Sequence, residues 1–143
     1  MYKALRDRVQ ARDVAGLFAL VPYAQTIGLE GFLDTRGKLM TVLRARPENV
    51  GNTYLPAIHG GVLAALLEHA AIMTLVWEAD LPAIPRIINL SVDYLRPALL
   101  VDTFATADVI RQGKRIANLR VTAWQNDPDR PVVAAHSHCL IAD

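Results

Sequence analysis

Cysteine is nearly absent. Cys139 stands alone in 143 residues, which excludes an internal disulfide and suits a reducing compartment. Charge of one sign is lacking too: 15 Lys and Arg face 14 Asp and Glu, a formal +1 with His neutral. Nothing therefore points to nucleic acid or another polyanion as the main partner, although local basic clusters retain the means to grip a phosphate. Met1 to Arg8 are charged and carry neither the apolar core nor the small-residue cleavage site of a secretory leader. Repeats, low-complexity tracts and linkers are missing. One long apolar run exists, Gly61 to Trp77, but Glu68 and His69 lie near its centre and it falls short of the roughly 20 apolar residues that a membrane span needs. The expectation is a cytoplasmic, soluble chain with one domain over residues 1–143.

What is present is enough apolar sequence, 52% of the chain, for a real core. The run from Gly61 to Trp77 is rich in Ala and Leu, contains no Pro and is apolar on all sides, the pattern of a helix wrapped by protein. Before it, Leu5, Val9, Val14, Leu17 and Phe18 recur at helical spacing, which predicts a short amphipathic helix from about Leu5 to Leu20, stopped by Pro22. Ala24–Leu33 and Leu39–Ala45 flank the turn-like Asp34-Thr35-Arg36-Gly37 and read as a hairpin. Arg46 to Thr53 reads as polar loop. Beyond the break at Leu81-Pro82-Ala83-Ile84-Pro85 the period changes to two. Ile88, Leu90, Val92 and Tyr94 share one face of a strand, and three further strands are expected at Val101–Arg111, Arg115–Gln125 and Val132–Ile141. The sum is an α+β fold: short helix, hairpin, long buried helix and a four-stranded meander, its antiparallel sheet curled about the helix.

Few residues in this pattern suggest chemistry. A carboxylate in the middle of an all-apolar helix is costly unless a cation or hydrogen-bond donors hold it, which singles out Glu68. His136 and His138 share a strand face, but no third ligand is evident and no metal site is expected. Cys139 reads as a small buried residue without an activating partner, and Trp77 and Trp124 as packing.

His59-Gly60-Gly61, the acid nine residues after that His, Ser91-Val92-Asp93-Tyr94-Leu95-Arg96-Pro97-Ala98 and Gly113-Lys114-Arg115 together resemble the hotdog-fold acyl-CoA thioesterases, of the phenylacetate-degradation and 4-hydroxybenzoyl-CoA thioesterase type. The resemblance implies a long central helix wrapped by a curved antiparallel sheet. It implies that Glu68 is the catalytic carboxylate, as nucleophile or general base, that the Gly60 N–H stabilises the oxyanion and that His59 orients the thioester. It further implies an acyl-CoA substrate with no separate cofactor. Gly61, Tyr94, Leu95, Arg96, Gly113, Lys114 and Arg115 become the candidates for binding the substrate and its CoA. The residue chemistry agrees, since unpaired N–H groups at a helix start are partly positive and glycine admits a close approach.

Gly60 and Glu68 are eight residues apart, about 12 Å of helix rise and roughly 80° of rotation. One chain cannot easily place both on a single carbonyl, so Gly60 of one subunit and Glu68 of another are expected to share each site in a two-fold dimer, or in a pair of dimers. Three positions depart from the family pattern, one of them His69 beside Glu68, to which the pattern assigns no role. Thr53 stands where a side-chain amide is usual, with Asn52 one place earlier as the substitute, and Ile72 stands where some relatives carry a hydroxyl. The competing readings are a hydratase or dehydratase on the same fold, and a non-catalytic acyl-CoA binder.

Overall fold

The computed structural model describes residues 1–142. Three short helices open the chain: α1 (Tyr2–Gln10), α2 (Val14–Ala19) and α3 (Pro22–Ile27). The expected single helix is broken after Gln10. Arg12 adopts φ 54°, and Asp13 restarts the helix as its N-cap, its carboxylate accepting from the Gly16 N–H at 2.8 Å. Pro22 does not merely stop a helix. It occupies the first turn of α3, where its missing N–H costs nothing. Gly28 then ends α3 in the left-handed conformation, φ 86°, which a side chain would oppose. The first strand therefore begins at Leu29, five residues later than its composition suggested.

The hairpin around Asp34 forms as expected, with β1 (Leu29–Leu33) antiparallel to β2 (Leu39–Leu43). The Asp34 carboxylate accepts from the N–H groups of Arg36 and Lys38 and fixes the turn. The stretch read as loop is partly ordered: a single 3₁₀ turn at Pro47–Asn49 leads into a small hairpin of β3 (Val50–Asn52) and β4 (Ala57–Ile58). The long helix α4 (Gly60–Glu78) follows, then β5 (Arg86–Tyr94), β6 (Thr103–Gln112), β7 (Ile116–Trp124) and β8 (Val133–Leu140).

These last four strands are not a simple meander. The sheet runs β1-β2-β6-β7-β8-β5, so the chain leaving α4 crosses to the far edge and β8 inserts between β7 and β5. Nor does the period-two pattern hold throughout β5. Ile87 pairs with Cys139 and Asn89 with His138, which leaves Ile88 as an extra residue, 56% exposed. This bulge puts Ile87, rather than Ile88, on the inner face with Leu90 and Val92.

Small residues on the inner face, among them Ala105, Ala107, Ala117 and Ala123, let the sheet approach α4 and bury Leu66, Leu67, Ala70, Ala71 and Leu75. Apolar burial of this kind stabilises by about 25 cal/mol per Å², and this contact forms the larger of the two core clusters. α1 is fastened across the C-terminal end of α4. The Arg6 guanidinium meets Asp80 at 2.8 Å and the Ala79 carbonyl at 3.2 Å, and the Tyr2 hydroxyl donates to the Leu81 carbonyl. Although α4 is long and apolar enough to cross a membrane, half of it is buried within the chain, as in a core helix.

The helix is not enclosed on every side. Gly61 and Glu68 are exposed, and Ala64, Ala65 and Ile72, on the same stripe, are only partly covered. Glu68 is therefore not buried within one chain, contrary to the expectation from the sequence. The sheet covers one side of α4, and the stripe at spacings of three and four residues faces away from it.

Candidate active site

The start of α4 is closed by the residue that precedes it. His59 is the N-cap, and its Nδ1 accepts from the Gly61 N–H at 2.8 Å. The neutral ring then carries its proton on Nε2. The His59 carbonyl accepts from the N–H groups of Val62 at 3.0 Å and Leu63 at 3.2 Å. Of the first four amides of the helix, only that of Gly60 has no acceptor among the described residues. The resulting partial positive charge lies at the positive end of the helix dipole.

Two residues from elsewhere hold this turn. The Tyr94 hydroxyl, at the end of β5, donates to the Gly60 carbonyl at 2.8 Å. Asn49 is buried; its Nδ2 donates to the Ile27 carbonyl at 2.7 Å, and its own carbonyl accepts from the His59 N–H at 2.8 Å. Gly51 makes room for the cap, since a Cβ there would lie 2.7 Å from the His59 Cα. The polarity of the loop gave no sign that Asn49 would face inward, and the sequence assigned it no role.

Gly60 and Glu68 line different cavities. Gly60 borders a groove of about 460 Å³ with Ala57, Leu63, Tyr94, Leu95 and Arg96. Glu68 borders a second cleft, also about 460 Å³, together with Gly61, Ala65, His69 and Ile72 of α4 and residues of the N-terminal helices. One chain thus separates the two groups that the sequence assigned to one reaction. His69 had been given no role; its ring meets Phe18 edge to face at 5.0 Å, its Nε2 is buried without a partner, and burial pushes its pKa down to about 4.

The structure places the other candidates unevenly. The Asn52 side-chain oxygen accepts from the N–H groups of Tyr54 at 3.0 Å and Leu55 at 3.3 Å, so it shapes the tip of the β3–β4 hairpin. Gly113, Lys114 and Arg115 form a concavity of about 390 Å³ at the β6–β7 turn, joined by Arg111, whose part the sequence had not suggested. Arg96 does not join them; it borders the Gly60 groove, and its guanidinium donates to the Pro131 carbonyl. His136 and His138 are exposed on the face of the sheet away from α4, and no group of potential metal ligands occurs among the described residues. Cys139 is fully buried, its Sγ lies 3.4 Å from the Ser137 Oγ, and burial pushes its thiol pKa up, which argues against nucleophilic chemistry there.

A central helix gripped by a six-stranded antiparallel sheet, with an unpaired amide at the helix start, defines a hotdog fold of the thioesterase superfamily. A Chromobacterium violaceum protein of known structure superposes with a TM-score of 0.80 at 31% identity, over 99% of this chain and 98% of that one. The Bacillus halodurans protein BH2602, solved with CoA, shares the fold at a TM-score of 0.76 and 17% identity, over 99% and 90% of the two chains. The family pattern described as the acyl-CoA thioesterase N-terminal domain matches residues 51–139. The medium/long-chain acyl-CoA thioesterase YigI of Salmonella typhimurium is 30% identical over 120 residues, covering 75% of this chain and 77% of that protein. The chain belongs to the acyl-CoA thioesterase family, and its chemistry is thioester hydrolysis.

Proposed function

We propose that the protein is a homodimeric acyl-CoA thioesterase in which each site is built by two subunits. The Gly60 N–H of one subunit holds the thioester oxygen, and Glu68 of the other drives cleavage. The observation that carries this reading is the combination of one unpaired amide at the start of α4 with a carboxylate that opens into a different cavity of the same chain. Two further features favour a second copy. The stripe of α4 around Glu68 is open, and β5 is a nine-residue strand with one unpaired edge, which proteins seldom leave bare.

In the reaction, the carbonyl oxygen gains negative charge as the carbon becomes tetrahedral. A preorganised amide aimed at that oxygen contributes roughly 3 kcal/mol. The His59 Nε2–H, on the ring that caps the same turn, orients the thioester end. Glu68 either takes a proton from a water that attacks the acyl carbon, or attacks that carbon itself to give a mixed anhydride that water then hydrolyses; in both routes the CoA thiolate departs and the free acid is released. Lys114 and Arg115, with Arg111, offer cations and an exposed turn to the phosphates of the nucleotide end. Tyr94 and Leu95 border the groove that receives the pantetheine arm. A pair of such dimers is the proposed higher assembly.

The test follows from the division of labour. Proline is well tolerated at the first position of a helix, and the backbone of His59, φ −59° and ψ 132°, is the kind that precedes proline. Gly60→Pro therefore deletes the N–H at a backbone that accepts proline, while the Tyr94 ring, 3.2 Å from a Cβ at this position, must give by a few tenths of an ångström. Homodimers of Gly60→Pro and of Glu68→Gln should each release free thiol from acyl-CoA at least a hundredfold more slowly than wild type. Mixed dimers should recover activity, because one of their two sites is intact. Absence of rescue in a verified heterodimer would overturn the shared site, and binding without turnover by the wild-type protein would overturn hydrolysis.

A further inference from the structure

The cleft beside Glu68 asks for an occupant of its own. Its lining on α4 extends from Gly61 to Met73, about 18 Å of helix rise, of which about 7.5 Å lies between Glu68 and Met73. Ala64 and Ala65 leave the helix backbone uncovered there, and Leu5, Val21, Leu29, Ile72 and Ile84 supply apolar walls. The cleft is elongated, apolar and within the size range of small-molecule sites. His69 presents no charge to it at neutral pH, because burial favours the neutral ring. Its far wall is the N-terminal helix, which Arg6 and Tyr2 fasten to the end of α4.

We infer that this cleft holds an unbranched aliphatic acyl chain of roughly six to eight carbons, the length that about 7.5 Å of helix rise accommodates, and that α1 and the loop carrying Ile84 set how long that chain can be. The inference rests on the shared-site reading in one respect: the reacting carbon lies at Glu68. The acyl half of the substrate then lies in the subunit that supplies the carboxylate, and the CoA half in the groove of the subunit that supplies Gly60. The chain leaves Glu68 toward Ile72 and Met73 and ends beneath Leu5 and Ile84. A hydroxylated aromatic acyl group is the rival occupant: the His69 Nε2, buried without a partner among the described residues, offers its hydroxyl a hydrogen bond, whereas most of the wall is carbon.

The test is a profile of kcat/KM over saturated acyl-CoAs from acetyl to palmitoyl, with 4-hydroxybenzoyl-CoA as the aromatic comparison. Wild type should peak between hexanoyl and octanoyl. Leu5→Trp and Ile84→Trp should move the peak to shorter chains and lower the rate on the longest by about tenfold or more, the scale of discrimination available to an apolar pocket. Ile84→Ala should move it to longer chains. Ile84 is only partly buried and lies in a loop, so its variants report even if Leu5→Trp fails to fold. Folded Ile84 variants that keep the wild-type profile, or a preference for the aromatic substrate over every aliphatic one, would overturn the inference. Binding of non-hydrolysable acyl-CoA thioethers of graded length to Glu68→Gln reads the cleft without turnover. If that affinity follows chain length and shifts with Ile84 while wild type releases no thiol, the cleft assignment stands and the hydrolytic reading falls. If affinity ignores length, the cleft assignment falls.

Discussion

The Nδ1 of His59 accepts the Gly61 amide at 2.8 Å, so this imidazole closes the first turn of α4 with one nitrogen and keeps the other available to donate. The two uses separate by substitution. Replacing a good N-cap by Ala costs about 1 kcal/mol, which in a domain of this size lowers Tm by about 4 °C. His59→Ala should show that loss, whereas His59→Asn, itself a good cap, should restore Tm. Both should remain slow in thiol release, because neither supplies the Nε2 donor in its place. Full activity in His59→Asn would reduce this residue to its capping role.

Tyr94 acts on the site through the Gly60 carbonyl. Tyr94→Phe keeps the ring in the groove and removes one hydrogen bond, a net loss of about 1 kcal/mol. The expected result is a kcat about fivefold lower with KM little changed, because the hydroxyl positions the oxyanion donor instead of gripping the substrate. A rise in KM at constant kcat would place Tyr94 on the substrate itself.

His69 makes stability depend on pH. Burial lowers its folded pKa from 6.5 to about 4, so the unfolded chain binds more protons between those values. The native state keeps its full margin above pH 6.5, loses it progressively as pH falls toward 4, and loses no more from this group below that. The shift corresponds to a loss on the order of 3 kcal/mol. Urea unfolding of wild type and His69→Leu at pH 7 and pH 4 checks the sign: the variant should lack this part of the acid sensitivity. Equal slopes in the two proteins would remove His69 from the account.

The basic concavity should matter only for substrates that carry the nucleotide. Lys114→Ala combined with Arg115→Ala should raise KM for an acyl-CoA several-fold, an effect that fades with added salt because these side chains are exposed. The same pair should leave KM for the matching acyl-pantetheine unchanged. Parallel effects on both substrates would move the phosphate site elsewhere.

Much of this was legible from residue pattern alone, and the failures have physical causes. The long helix was readable because the run from Gly61 to Trp77 contains no proline and admits few alternatives, and the Asp34 hairpin because its turn chemistry is local. Pro22 misled because proline opens a helix as readily as it closes one, and only the position of Gly28 decides between them. The register of β5 was hidden because a bulge at Ile88 has no signature in the alternation of Ile, Leu and Val. Glu68 looked buried because composition cannot say which stripe of an apolar helix the sheet leaves uncovered. Asn52 and Asn49 were told apart only by packing: both are amides in a polar stretch, yet one bends the tip of a hairpin and the other ties the helix start to α3. Arg111 escaped notice because its neighbours in space come from the other side of the turn.

That tie has a kinetic meaning. One residue links α3, which borders the cleft beside Glu68, to the peptide that precedes the proposed oxyanion donor: the Asn49 side chain holds the Ile27 carbonyl, and its main-chain carbonyl holds the His59 N–H. On the shared-site reading, a fatty tail too bulky for its slot would press on α3, and the strain would travel through Asn49 to the Gly60 amide of the same chain, which serves the other site of the dimer. Poor fit in one site would then slow cleavage in its neighbour, so the two halves of the dimer would answer to each other's cargo.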